Sequence, residues 1–84
     1  MEIHYFAAAR AAAGCASETV TPPATLKELL VALAAAHSGT TDSGLSLGEI
    51  FHRCTFLADG TRVEREHDLT GVSRIDVLPP FAGG

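Results

Sequence analysis

Basic residues are scarce in this chain, with six Lys and Arg against ten Asp and Glu in 84 residues and a formal charge of −4. Contact with phosphates needs clustered cations, and these six are scattered, which argues against nucleic acid as a partner and for a basic protein surface instead. No apolar run approaches the roughly 18 residues of a membrane span. The start lacks a basic region followed by a hydrophobic stretch, so the chain reads as cytoplasmic with no membrane attachment. The only cysteines, Cys15 and Cys54, show neither CxxC spacing nor the density of a secreted disulfide scaffold, and they read as free thiols. His4, His37, His52 and His67 lack HExxH or similar ligand spacing, so no metal site is expected. Nor is there a Ser/His/Asp, Cys/His or GxxxxGK[ST] arrangement. A chain this short has little room for both a core and a catalytic pocket. Those absences exclude a self-contained enzyme.

What is present is one small domain. An apolar fraction of 46% with 19% charged residues suits a globular chain rather than a disordered one, and its many alanines make the core light. Glu2-Ile3-His4-Tyr5-Phe6 alternates as a first strand, with Ile3 and Tyr5 on one face. Arg10 to Gly14 supplies a turn signal, and Glu18-Thr19-Val20-Thr21 is a short β-rich run ended by Pro22-Pro23, so the two strands are expected to form a hairpin. Thr25-Leu26-Lys27-Glu28 carries the capping-box spacing that starts a helix. Leu26, Leu29, Leu30 and Leu33 then follow as one apolar stripe, continued by alanines of high helix propensity to Ala36. Ser38-Gly39 ends it, and the stretch 39–44 is a polar loop.

Ser46-Leu47-Gly48-Glu49 repeats the capping-box spacing and predicts a short second helix ending near Arg53. Cys54 to Ala58 reads as a strand, Asp59-Gly60 as a tight turn and Thr61-Arg62-Val63 as the return strand. Ser73 to Leu78 forms a last strand with Ile75 and Val77 on one face. The predicted order β-β-α-(α)-β-β-β is an α+β fold, a mixed sheet packed on one main helix with a short second helix. A parallel pairing of the terminal strands would put Phe6 and Leu78 together on a solvated face. Neither is at home there, and side by side they suggest a docking patch.

The domain is expected to span 1–78, with 79–84 as an extended tail, Pro79-Pro80-Phe81-Ala82-Gly83-Gly84. Two prolines fix φ near about −65° and hold the residue before each extended, which makes a stiff stalk. Six residues reach roughly 20 Å. Two consecutive glycines without Cβ atoms allow another protein's walls to close around the backbone. A tail ending in this way can be threaded into a narrow site and have its carboxylate worked on.

These residues carry a resemblance. Asp76 to Gly84, with its Pro-Pro pair and Gly-Gly end, resembles the end of the MoaD/ThiS family of sulfur carriers, and most closely the MoaD-like branch, the small subunits of molybdopterin synthase. Tyr5-Phe6-Ala7, with Arg10 and Gly14 behind, is similar to the family's first strand and turn. The resemblance implies a ubiquitin-like β-grasp fold and a non-catalytic carrier that acts as co-substrate. It further implies an adenylating and sulfurylating enzyme that uses ATP to activate the Gly84 carboxylate, giving a thiocarboxylate. No cofactor would be bound by the chain itself. That sulfur would pass to a cyclic pterin phosphate in molybdenum cofactor biosynthesis, with the catalytic groups in a MoaE-like large subunit of a heterotetramer.

On this resemblance Gly84 is the reactive terminus and Gly83 supplies slimness beside it. Pro79, Pro80 and Ala82 belong to the stalk, and Phe6, Leu78 and Phe81 are candidates for apolar contact with partners. Phe81 departs from the smaller aliphatic side chain of many relatives. Two further readings use the same chemistry: a carrier for thiamine (ThiS-like) or cysteine synthesis, and a ubiquitin-like modifier forming isopeptide bonds.

Overall fold

The computed structural model describes residues 1–80. Its elements run β1 (Glu2–Tyr5), α1 (Ala7–Ala13), β2 (Ser17–Thr19), α2 (Leu26–Ala36), α3 (Leu47–Phe51), β3 (Thr55–Ala58), β4 (Thr61–Val63) and β5 (Arg74–Leu78). One mixed sheet of order β2-β1-β5-β3-β4 gathers every strand. Its centre is the parallel pair of β1 and β5, in register from Glu2 opposite Arg74 to Tyr5 opposite Val77. The other three pairings are antiparallel.

Strand alternation divides the sheet into two faces. Ile3, Tyr5, Phe56, Ala58, Ile75 and Val77 are buried on the inner face, where α2 contributes Leu26, Leu29, Leu30 and Leu33. Burying each such aliphatic side chain stabilises the fold by about 1.5–3 kcal/mol, before entropy is counted. Leu47, Ile50 and Phe51 of α3 complete this core, and α3 packs against both α1 and α2.

The helix starts follow the capping chemistry unequally. Ser46 accepts from the Glu49 amide at 3.2 Å while the Glu49 carboxylate accepts from the Ser46 amide at 3.1 Å, a complete capping box. These bonds favour the ionised carboxylate and hold its pKa below the usual value. At α2 only the Thr25 half is made, its hydroxyl accepting from the Glu28 amide at 3.3 Å. The tight turn between β3 and β4 places Asp59 and Gly60 both at positive φ, as a two-residue hairpin requires. The Asp59 carboxylate also accepts from the amides of Ser73 and Arg74, tying that turn to the start of β5.

One element corrects the sequence reading. The segment expected to be a turn between the first two strands is the helix α1, closed by Gly14 at φ 78°. β1 and β2 therefore pair antiparallel across a helical connection instead of forming a tight hairpin, and the order is β-α-β-α-α-β-β-β. Phe6 begins α1 without any side-chain cap bond, so no capping residue announces it. Alanine supplies the propensity, and Ala9 and Ala12 are small enough to be buried under α3. β2 also begins and ends earlier than expected, at Ser17–Thr19.

Glu18 lies opposite Ile3 and so on the inner face at the sheet edge. Its carboxylate accepts from the Tyr5 hydroxyl at 2.7 Å and contacts His37 Nε2 at 2.6 Å, joining β1, β2 and the end of α2. Cys15 Sγ reaches the same oxygen at 3.9 Å. Burial, and then the Glu18 charge, raise the pKa of the Cys15 thiol, while burial and the bond to Glu18 raise that of Tyr5. Cys54 donates to the Ile50 carbonyl oxygen at 3.2 Å, and burial pushes its pKa from 9.0 up to about 11.

Two outcomes follow from this packing. A Cβ placed on Gly39 would lie 2.7 Å from the Ala12 carbonyl oxygen, backbone that cannot swing aside. Gly39→Ala should therefore lower stability by about 1–3 kcal/mol in chemical denaturation. The thiols set an alkaline limit. The folded state keeps the Cys54 proton to about pH 11, whereas an unfolded thiol releases it near 9.0. Its contribution to stability is complete below the lower value and is lost as pH rises through the upper one. Denaturation midpoints measured across this window should fall with pH, and Cys54→Ala should flatten that fall.

Candidate functional site

The site is built where the two central strands end. Because β1 and β5 run in the same direction and in register, both leave the sheet at the same edge. The amide of Phe6 donates to the Val77 carbonyl oxygen at 3.2 Å, which fixes the exit of one strand against the other. Phe6 is extended at φ −122°, and the next residue, Ala7, reverses the chain at φ 50° to start α1. The Phe6 ring is consequently left 39% exposed, one of two large apolar side chains so exposed among the described residues.

Leu78 is half-buried at the end of β5 and pairs with Thr55 of β3. Pro79, half-buried, and Pro80, exposed, continue past the strand. These side chains border a groove of about 600 Å³, whose other walls come from Ala7, Arg53 and Thr55. Four residues expected from the sequence to touch a partner, Phe6, Leu78, Pro79 and Pro80, thus lie in one groove. The remaining expected residues, Phe81, Ala82, Gly83 and Gly84, fall outside the described residues.

Arg53 and Thr55 were not anticipated as groove residues. Thr55 could be found only from the antiparallel register that sets it opposite Leu78. Arg53 arrives from the turn after α3, and no motif marks it. Among the described residues, the groove has one ionisable side chain, the Arg53 guanidinium. Its walls are suited to holding an apolar surface and, through Arg53, an acidic group at the edge.

The thiols and histidines lie elsewhere. Cys15 and Cys54 hold their protons above the usual range, which suppresses thiolate chemistry at neutral pH. Among the described residues, no group of three or more His, Cys, Asp or Glu is placed to hold a metal ion. No helix among them is long and apolar enough to cross a membrane.

Comparison with known proteins agrees with this geometry. The crystal structure of SAMP1 from Haloferax volcanii is similar with a TM-score of 0.74 and 23% identity, covering 99% of this chain and 97% of that one. A crystal structure of H. volcanii small archaeal modifier protein 1 is similar with a TM-score of 0.69 and 21% identity, covering 95% of each chain. Identities this low speak to the fold, and the fold is the ubiquitin-like β-grasp that the sequence implied. No curated protein matches the chain. The model of the ThiS family matches residues 3–84, a span that takes in both the groove and the Gly-Gly motif. The chain belongs to the ThiS family, the small sulfur carriers of β-grasp fold.

Proposed function

We propose that the chain is a sulfur carrier of the MoaD type, the small subunit of a molybdopterin synthase, whose Gly84 carboxylate is converted to a thiocarboxylate. The observation that supports this reading most is the position of the Pro79-Pro80 stalk. In a ThiS-family chain it leaves β5 beside an apolar groove formed by Phe6 and Leu78 and leads to Gly83-Gly84.

The chemistry needs little from the carrier except delivery. A carboxylate is a poor electrophile until one oxygen becomes part of a good leaving group. A Gly84 oxygen attacks the α-phosphorus of ATP, pyrophosphate departs, and an acyl-adenylate remains. A sulfur nucleophile supplied by the activating machinery then attacks the carbonyl carbon. AMP leaves, and where the nucleophile is a persulfide the resulting acyl disulfide is opened by a second thiol of that machinery, which forms a disulfide with the donor sulfur and releases the thiocarboxylate. In the proposed pathway this sulfur is delivered to a cyclic pterin phosphate at catalytic groups held by a MoaE-like large subunit in a heterotetramer. Phe6 and Leu78 hold the carrier against its partners, the prolines keep the tail extended, and Gly83 fits the narrow approach to the reacting carbon.

A second reading is a ubiquitin-like protein modifier, favoured by the likeness to a structure described as a small archaeal modifier protein. In that case a lysine amine, rather than sulfur, attacks the activated carbonyl. A carrier for thiamine or cysteine synthesis would share every step up to sulfur delivery.

Intact-mass measurement separates these readings. After incubation with an adenylating enzyme, ATP and a sulfur donor, the expected result is a mass gain equal to replacing one oxygen by sulfur, located on the C-terminal peptide. Subsequent loss of that sulfur to a cyclic pterin phosphate in the presence of a large subunit would support the MoaD-type role. A ladder of reductant-resistant conjugates with an unmodified free carrier would instead favour the modifier.

A further inference from the structure

The second large apolar side chain left exposed is Val31, 66% accessible on α2. It lies far in sequence from the tail groove and lines a different one. Here α2 and α3 form a cleft of about 350 Å³ whose apolar surface includes Val31, Ala34 and Phe51. Gly48 gives the cleft its shape: a Cβ on Gly48 would meet the Ala34 Cβ at 3.3 Å, so a glycine lets α3 approach α2 closely. This accounts for a residue otherwise unfavourable inside a helix.

Two cations stand at the margin of this cleft, and the fold positions both. Arg65 donates from Nη2 to the Phe51 carbonyl oxygen at 3.0 Å, and its guanidinium carbon lies 5.6 Å from the centroid of the Phe56 ring. One of its five N–H donors is thereby used, and the rest have no protein acceptor among the described hydrogen bonds. The backbone amide of Lys27 donates to the Arg65 carbonyl oxygen at 2.9 Å, bringing the exposed Lys27 alongside. Neither cation forms an ion pair among the described residues, although Glu28, Glu64 and Glu66 adjoin them in sequence. In a chain of net charge −4, this cleft sets two cations without ion-pair partners beside an apolar wall.

We infer that the α2/α3 cleft is a second docking surface, taking a partner polypeptide segment that presents a carboxylate beside an apolar side chain. The apolar group covers Val31 and Phe51, while the carboxylate meets the Arg65 fork and the Lys27 ammonium. Arg65 is already held by Phe51 and Phe56, so little of its side-chain freedom is lost on binding. His52 lines this cleft and Arg53 the tail groove, so the two surfaces meet at the turn after α3 without sharing a lining residue. A partner here can be held while the tail is engaged elsewhere. The inference does not depend on whether the tail carries sulfur.

The test is a titration of the full chain, isotopically labelled for amide NMR. The probe is a short amphipathic helical peptide with blocked ends, bearing a leucine stripe flanked by glutamates; its counterpart has lysine at each glutamate. The glutamate peptide is expected to move the amides of Val31, Ala34, Gly48 and His52 saturably while leaving Phe6 and Leu78 unmoved. Binding should be at least about tenfold weaker for the lysine peptide, and Lys27→Glu should weaken the glutamate peptide by about the same factor. Val31→Asp, also at an exposed position, should abolish binding with an unchanged melting curve. The proposal is overturned by no saturable shift in the cleft, by equal binding of both peptides, or by an unaltered affinity in Lys27→Glu. Cleft shifts that grow with protein concentration in the absence of peptide would assign the surface to a second copy and equally overturn it.

Discussion

The parallel pairing of β1 with β5 is the constraint on which the rest depends. It joins the beginning of the chain to its last strand, so the sheet has no centre until nearly the whole sequence has been brought together. Ile3 and Ile75 face each other there at 0% exposure, as do Tyr5 at 2% and Val77 at 0%. Closing so long a loop costs conformational entropy, which the burial of these rows and of the α2 leucines must offset. The same register builds the groove. Two parallel strands end at the same edge, so Phe6 and Leu78 come to line one groove with Pro79 and Pro80.

Surface and interior are accordingly assigned different chemistry. The Tyr5 hydroxyl is buried and the thiols half-buried; burial raises the pKa of all three, and Glu18 adds to the rise for Tyr5 and Cys15. Glu18 shares its carboxylate among β1, β2 and the end of α2, closing the sheet edge. Among the described residues the groove offers apolar contact and the Arg53 guanidinium. On the proposed function, reactivity would be left to the Gly84 carboxylate that the activating enzyme modifies, and the domain would serve as a handle.

Much of this was legible in the residues. The capping boxes located α2 and α3, the Asp59-Gly60 pair located the hairpin, and alternation in Ile3-Tyr5 and Ile75-Val77 marked the buried face. Helix α1 was not legible, because Ala7–Ala13 has neither a capping side chain nor an apolar stripe against a polar face. A run of alanines has propensity without periodicity, and Gly14 at its end is equally the mark of a turn. Of the groove, Phe6, Leu78 and the prolines stood out as apolar residues near a tail. Thr55 did not, because what places it is the register between β3 and β5, and Arg53 did not, because it comes from the turn after α3 with no motif to mark it. The α2/α3 cleft was hidden for a similar reason: Lys27 and Arg65 meet through a backbone bond between distant segments.

The central claim is that the apolar surface around the tail exists for docking and contributes little to the core. Leu78→Asp tests it most directly, by comparing the melting temperature with the affinity for the activating enzyme measured by calorimetry. The expected result is a melting temperature close to that of the parent, because Leu78 is only half-buried, and an affinity lowered by at least about tenfold, because an unpaired charge is pressed against an apolar surface. An unchanged affinity in a folded Leu78→Asp variant would contradict the claim.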